Sequence, residues 1–267
     1  MKNKITKYLA ENRQIRIYIL SGIQIYKDTE ALEMNSKHKT LFREALNITA
    51  LANALNSGQQ RLSYTFFSKN RKSKISTESF SNGTITGMVT TDENQLDFRD
   101  GTLQTISTSD NKFGSSHTSH SSLNHGNIYM DIEQYYFSSE QTPTYLFPLS
   151  KKKNIVLLMQ PLPFADEKIV NKVLSQLNSL KSTLSNVNTK ILVEILSSEL
   201  NDWKYLDSVY VEYSCSCSKD MFLGIVFSLS KEEINDILSK KENLEVTCSL
   251  CNKKYVFSTD EIMNYLQ

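Results

Sequence analysis

Between Leu41 and Leu55 apolar side chains recur at steps of four and three, at Leu41, Ala45, Ile48, Ala52 and Leu55. That period lines them along one face of a helix, with Ser57-Gly58 as its stop. The period then shortens to two. Arg61–Phe67 and Thr84–Thr90 read as strands, with Asn82-Gly83 a turn and Gly87 inside the second strand. A helix beside antiparallel strands is the expected unit. From Thr105 to Gly126 the chain is dominated by Ser, Thr, His, Asn and Gly, which predicts a loop. Asp131–Gln141 then reads as a helix, and Tyr145-Leu146-Phe147 and Ile155–Gln160 read as strands. Pro161 and Pro163 close this first region.

Two amphipathic helices come next. Ile169, Val173, Leu177 and Leu180 form one stripe and Ile191, Leu192, Ile195 and Leu196 another, with a break near Ser185–Asn188. Such stripes fit ordinary core packing, and they equally fit a detachable helical cover.

The pattern changes again from Val209 to Cys217, where odd positions are apolar or cysteine and even ones mostly polar. A period of two predicts a strand with Cys215 and Cys217 on one face. Farther on, Leu244-Glu245-Val246 reads as a strand leading into Cys248-Ser249-Leu250-Cys251. A C-x-x-C turn can present two thiolates to one metal, and two such claws 30 residues apart can complete one tetrahedron. Between the claws, Ser230-Lys231-Glu232-Glu233 has capping-box spacing and opens a helix with Ile234, Ile237 and Leu238 on its apolar side. So few apolar residues hold a segment of this size poorly, and structural zinc would add on the order of 10 kcal/mol or more of folding free energy.

Composition narrows the function classes. With 30 basic and 29 acidic residues, no global field favours nucleic acid or an anionic membrane. The start, Met1-Lys2-Asn3-Lys4-Ile5-Thr6-Lys7, meets Glu11, Asn12 and Arg13 rather than a continuous apolar run, unlike a secretion signal. The run Ile155–Met159 is far short of the roughly 20 residues of a membrane span. All four cysteines lie in the last quarter of the chain, which suits a metal site in a reducing compartment. The expectation is a soluble, cytoplasmic, multi-domain protein.

The elements Cys215-Ser216-Cys217-Ser218, Cys248-Ser249-Leu250-Cys251 and Tyr255-Val256-Phe257 resemble the zinc domain of the 33 kDa heat-shock protein family of redox-regulated chaperones. The resemblance extends to Tyr135-Tyr136-Phe137-Ser138-Ser139-Glu140-Gln141-Thr142-Pro143, similar to that family's aromatic pair followed by x-x-S-E-Q-x-P, and to Gln160-Pro161-Leu162-Pro163. Ala45 through Gln60 resembles its early helix and the stretch just after it, and Ile15-Arg16-Ile17-Tyr18 its first strand. The resemblance implies an α+β protein: an N-terminal mixed helix and sheet core over residues 1–163, an amphipathic helical linker over 164–208, and a small zinc-binding α+β redox-switch domain over 209–267. It further implies an ATP-independent holdase, quiet when reduced and zinc-bound. Oxidation under unfolding conditions would release the zinc, loosen the linker and expose apolar surface to unfolded, aggregation-prone clients. One Zn2+ per chain would sit on Cys215, Cys217, Cys248 and Cys251, the implied disulfides are Cys215–Cys217 and Cys248–Cys251, and the oxidised, active form would be a homodimer.

Two stretches depart from the family. Ser68-Lys69-Asn70-Arg71-Lys72-Ser73 and Lys151-Lys152-Lys153-Asn154 stand where that family favours glycine or small residues, and the chain has only eight glycines. Rival readings are a zinc-ribbon nucleic-acid adaptor using Lys69–Lys74 and Lys151–Lys153, a thiol oxidoreductase using Cys248 and Cys251, and a specialised paralogue with a purely structural zinc site. Near-zero net charge and the lack of interleaved aromatics read the basic patches as solvated surface. The second cysteine pair and the missing thioredoxin-like strand–helix context argue against the oxidoreductase. His117, His120 and His125 read as a solvated loop, and Glu140 has no partner base or nucleophile nearby in sequence, so no catalytic site is expected.

Overall fold

The computed structural model describes residues 3–55, 60–109, 115–184, 187–240 and 243–266. Ser57, Gly58 and Ser185, where helix ends are expected, lie outside the described residues. The chain divides into two compact units, one ending at Ser214 and one comprising Cys215–Gln267.

The first unit runs β1 (Asn3–Ala10), β2 (Ile15–Ser21), α1 (Ile23–Glu30), α2 (Ser36–Leu55), β3 (Gln60–Phe67), β4 (Lys74–Ser79), β5 (Thr84–Thr90), β6 (Gly101–Ser109), β7 (Ser116–Leu123), α3 (Ile128–Ser138), β8 (Tyr145–Ser150), β9 (Ile155–Pro161), α4 (Glu167–Leu184), α5 (Thr189–Glu199) and β10 (Lys204–Tyr213). Its strands form one ten-stranded sheet in the order β7-β6-β3-β4-β5-β10-β1-β2-β9-β8. Every neighbouring pair is antiparallel except β10 with β5, a short parallel join that aligns Glu212 with Thr84 and Tyr213 with Ile85.

Side-chain alternation along the central strands builds two cores. In β2, Tyr18 and Leu20 face one core while Ile15, Ile17 and Ile19 face the other; β9 likewise divides Val156 and Leu158 from Ile155, Leu157 and Met159. The first core is filled by α2 through Phe42, Ala45, Leu46 and Ile48 and by α3 through Ile132 and Tyr135. The second is closed by α4 and α5 through Val173, Leu177, Leu192 and Leu196, all essentially buried. The apolar stripes expected in segment 164–208 therefore lie on the sheet, although Ile191 at the start of α5 is 41% exposed. The end of that segment is strand: β10 begins at Lys204 and pairs with β1.

Local chemistry explains several elements. The helix expected from Leu41 starts earlier, at Ser36, because the Asn35 side chain accepts from the His38 amide at 2.9 Å. Gly87 is required where β5 passes under α2, since a Cβ there would lie 3.0 Å from the Phe42 ring and 2.5 Å from Ser76 O. Asn127 caps α3 by accepting from Tyr129 and Met130, so that helix spans Ile128–Ser138 rather than Asp131–Gln141. In the divergent Lys151–Asn154 turn, Asn154 takes a left-handed φ of 50° in place of glycine. Its side chain is buried, donating to Gly22 O at 2.8 Å and exchanging two hydrogen bonds with Asn47.

The loop expected over Thr105–Gly126 is corrected. Residues up to Ser109 complete β6, and Ser116–Leu123 form β7, paired with β6 in continuous antiparallel register. Thr and Ser tolerate a pleated surface, and at the rim of a sheet a polar strand needs only backbone partners. The segment Ile15–Tyr18, which resembles the family's first strand, lies in β2; β1 precedes it, with Ile5 buried on one face and Tyr8 and Ala10 on the other. No helix of the described residues is long and apolar enough to cross a membrane.

The second unit contains α6 (Lys219–Ser228), α7 (Lys231–Lys240), β11 (Leu244–Thr247), β12 (Lys254–Phe257) and α8 (Thr259–Leu266), with β11 and β12 forming an antiparallel pair. The mixed α+β class holds for both units. The Ser230–Glu233 capping box forms as its spacing predicts: Ser230 N donates to the Glu233 carboxylate at 2.8 Å and Glu233 N to Ser230 Oγ at 3.2 Å. A second box, Ser258 with Glu261, starts α8 in the same way.

Candidate metal centre

The β11–β12 turn carries one claw. Cys248 N donates to Lys253 O and Asn252 N to Cys248 O, both at 2.9 Å, which closes the turn around Cys248-Ser249-Leu250-Cys251. Asn252 supplies the left-handed residue with φ of 62°, and Leu250 N donates to Cys248 Sγ at 3.4 Å. Cys248 is buried and Cys251 half-buried.

The other claw is not on a strand. β10 stops at Tyr213, four residues short of the expectation, and residues 214–218 are irregular. The ladder ends with Tyr213, paired with Ile85, and Ser214, whose amide donates to Ile85 O. Ser218 then caps α6, its hydroxyl accepting from Met221 N at 3.2 Å, so the chain turns into a helix right after Cys217. Helix α6 escapes a periodicity reading because Met221, Phe222, Leu223, Ile225, Val226 and Phe227 are nearly continuous apolar sequence.

Folding brings all four sulfurs together, with their Sγ atoms within 4.8 Å of one another. Cys217 Sγ lies 3.5 Å from Cys251 Sγ, and Cys215 Sγ lies 3.9 Å from Cys248 Sγ. A tetrahedral zinc with Zn–S bonds near 2.3 Å places its sulfurs about 3.8 Å apart, so this donor set fits zinc in both number and spacing. Around it lie Phe222, Val226, Ile234, Phe257 and Ile262, a small core to which each contributing element gives only one or two buried side chains.

The thiols are not equivalent. Burial pushes Cys215 and Cys251 up from the ordinary thiol value. At Cys217 burial pushes the same way but is outweighed by hydrogen bonds from Tyr255 and the neighbouring thiols, which leaves it below the ordinary value. Tyr255 is the member of the site that motif spacing does not identify. Its hydroxyl donates to Cys217 O at 2.8 Å and lies 3.1 Å from Cys217 Sγ. The only signal for it in the sequence is its place in Tyr255-Val256-Phe257 after the second claw.

The remaining candidates lie elsewhere in the fold. His117 and His120 stand on β7, three residues apart and so on opposite faces, while His125 precedes α3 with its backbone amide bonded to Asp131. Glu140 accepts a short hydrogen bond from Tyr135 at the end of α3. Lys69 pairs with Asp100 at 3.3 Å, and Lys151–Lys153 sit in the β8–β9 turn.

A profile of the Hsp33 protein family matches residues 3–258. The chain is 33% identical over 156 residues to a 33 kDa chaperonin of Acholeplasma laidlawii, an alignment spanning 54% of this chain and 53% of the relative, about half of each. It is 24% identical along the whole length of both chains to the 33 kDa chaperonin of Oceanobacillus iheyensis. The crystal structure of a 33 kDa chaperonin from Thermotoga maritima superposes with a TM-score of 0.79 at 18% identity, covering 100% of this chain and 98% of the other, so the two share a fold. With the family profile running from β1 to the end of β12, past all four cysteines, this chain belongs to the Hsp33 family.

Proposed function

We propose that this chain is a non-enzymatic, ATP-independent holdase chaperone switched by the redox state of Cys215, Cys217, Cys248 and Cys251. The observation that carries the reading is the convergence of four sulfurs at zinc-like spacing inside a unit with little other core. The relatives named as 33 kDa chaperonins support the chaperone part.

Bound at this site, one zinc ion would hold the four sulfurs as thiolates and tie the two claws together. One hydrogen peroxide takes two electrons from each pair of thiolates: an S–S bond forms, the O–O bond breaks, and with two protons from solvent its oxygens leave as two waters. The pairs are Cys215–Cys217 and Cys248–Cys251. Each bridge lies within one claw, so oxidation removes the metal tie between the claws and leaves only Tyr255 and the small core to hold them together.

Segment 164–208 acts as the responsive linker. Val173, Leu177, Leu192 and Leu196 cover one face of β2 and β9, and lifting α4 and α5 would uncover Ile17, Ile19, Leu157 and Met159. Those side chains form an apolar surface suited to unfolded clients. In the oxidised, active state the protein is a homodimer, and its working compartment is the reducing cytoplasm.

The test compares reduced and peroxide-treated protein at a mildly unfolding temperature, recording zinc release with a chromophoric chelator and aggregation of a heat-unfolded reporter enzyme. About one zinc per chain released, followed by suppression only in the oxidised sample, is expected. Trp203, the single tryptophan, stacks on Tyr8 at 4.4 Å within the responsive segment and should shift to the red as α4 and α5 loosen. Zinc loss without suppression would leave a structural zinc site, and nucleic-acid binding by the reduced protein would favour the adaptor reading.

A further inference from the structure

The Tyr255 hydroxyl stands on β12, not in either cysteine claw, yet it reaches across to the far one. It donates to the Cys217 carbonyl at 2.8 Å and lies 3.1 Å from the Cys217 sulfur. Its ring is 9% exposed and packs on Phe222 of α6 with centroids 5.1 Å apart, so the hydroxyl is aimed by the same contact that joins α6 to the hairpin. Cys217 lies in the irregular stretch 214–218, where no strand ladder holds the backbone. Cys248, by contrast, is fixed by the backbone hydrogen bonds of its own turn.

We propose that Tyr255 is a positioning residue of the metal centre: its hydroxyl holds Cys217 in ligand geometry and sets how readily the site gives up its metal. This rests on the metal-site reading above and names the side chain that regulates it. Two physical effects act in the same direction. The hydroxyl has one proton to share between two acceptors of Cys217: given to the carbonyl it restrains a peptide that lies outside any strand ladder, and turned to the sulfur it draws charge from a thiolate and blunts its attack on oxidants. Partners of metal ligands of this kind typically contribute 10- to 100-fold in metal affinity.

The experiment compares the full-length zinc-loaded protein with Tyr255→Phe, which keeps the ring on Phe222 and removes only the hydroxyl, and with Val256→Thr, an exposed neighbour on the same strand. Transfer of zinc to a competing chelator under reducing conditions is expected to show affinity lowered about 10- to 100-fold in Tyr255→Phe and unchanged in Val256→Thr. In cobalt-substituted protein, the thiolate-to-metal charge-transfer band of Tyr255→Phe should shift, a change that loss of ring packing alone does not predict. Equal affinity and an unshifted band would overturn the proposal while leaving the metal site standing. The unaltered zinc protein gives a separate readout: the Tyr255 hydroxyl proton should exchange slowly enough to be seen by NMR, and free exchange would count against it. A wild-type chain that retains no zinc would sink the metal-site reading and this inference together.

Discussion

Among the described residues, the unit ending at Ser214 has two hydrophobic cores of 28 and 16 buried side chains, whereas the Cys215–Gln267 unit has seven, one of which is Cys248 itself. The first unit is held by area. At roughly 25 cal/mol per Å2 of apolar surface, a core of that size outweighs the entropy of ordering its chain. The second is too small for this, and its capping boxes at Ser230 and Ser258 add only about 1 kcal/mol each. Four sulfurs converge in it within 4.8 Å of one another, a donor set that one metal ion would close with few residues. One chain thus contains a unit stable by packing and a second unit with little core of its own, in which four cysteines cluster.

The largest effect separates the two directly. Removing zinc with a chelator under reducing conditions should withdraw on the order of 10 kcal/mol from the small unit alone. Amide protection at Val226 and Phe257 should collapse while that at Ile17 and Leu157 in the sheet persists; protection surviving throughout the small unit would show that its core suffices without metal. Next in size, Leu177→Ala should cost the large unit about 2–5 kcal/mol, because Leu177 is buried against the sheet where collapse is restricted. Denaturation followed by Trp203 fluorescence checks this, and zinc affinity measured in parallel should not move.

Smaller still, Ser230→Ala removes a cap worth about 1 kcal/mol. With folding of the small unit linked to metal, as proposed above, the loss should appear as roughly fivefold weaker zinc binding. The comparable change in the large unit, Asn127→Ala, should lower its stability by a similar amount and leave zinc binding untouched. The smallest expected effect concerns Glu44 on α2, whose carboxyl is pushed above its ordinary value by burial, partly opposed by Lys151 and Arg43. A raised folded-state value means that Glu44 favours folding below its unfolded pKa, and that this contribution is lost as pH rises through the folded one. Glu44→Gln should therefore stabilise the large unit slightly at neutral pH relative to wild type, with the gain fading as pH falls through the carboxylate range. A gain independent of pH would point to packing instead of charge.

The elements legible from the chain alone share a property: their signal is local. The α2 stripe at Ala45, Ile48 and Ala52, the turn at Asn82-Gly83, the stripes of α4 and α5, and the Ser230–Glu233 box each depend on residues within a turn or two of one another. The elements that escape such a reading depend on partners far away. β7 is a strand because β6 offers it a ladder, although nothing in Ser116–Leu123 but Leu123 is buried. β10 ends at Tyr213 because its ladder does, although the alternation of apolar positions continues to Cys217. α6 lacks a usable period because its sequence is apolar almost all round.

By itself, the sequence carried the expectation of a metal site: four cysteines in two short-spaced pairs suit one soft metal ion, since thiolate softness and claw spacing are local properties. Only the tertiary structure decided that the first pair sits in an irregular stretch held by Tyr255, that α4 and α5 lie over β2 and β9, and that the chain divides after Ser214. The physical reason is the same in each case. Hydrogen-bond ladders and core faces are completed by residues distant along the chain, so what a segment becomes depends on what the fold places beside it.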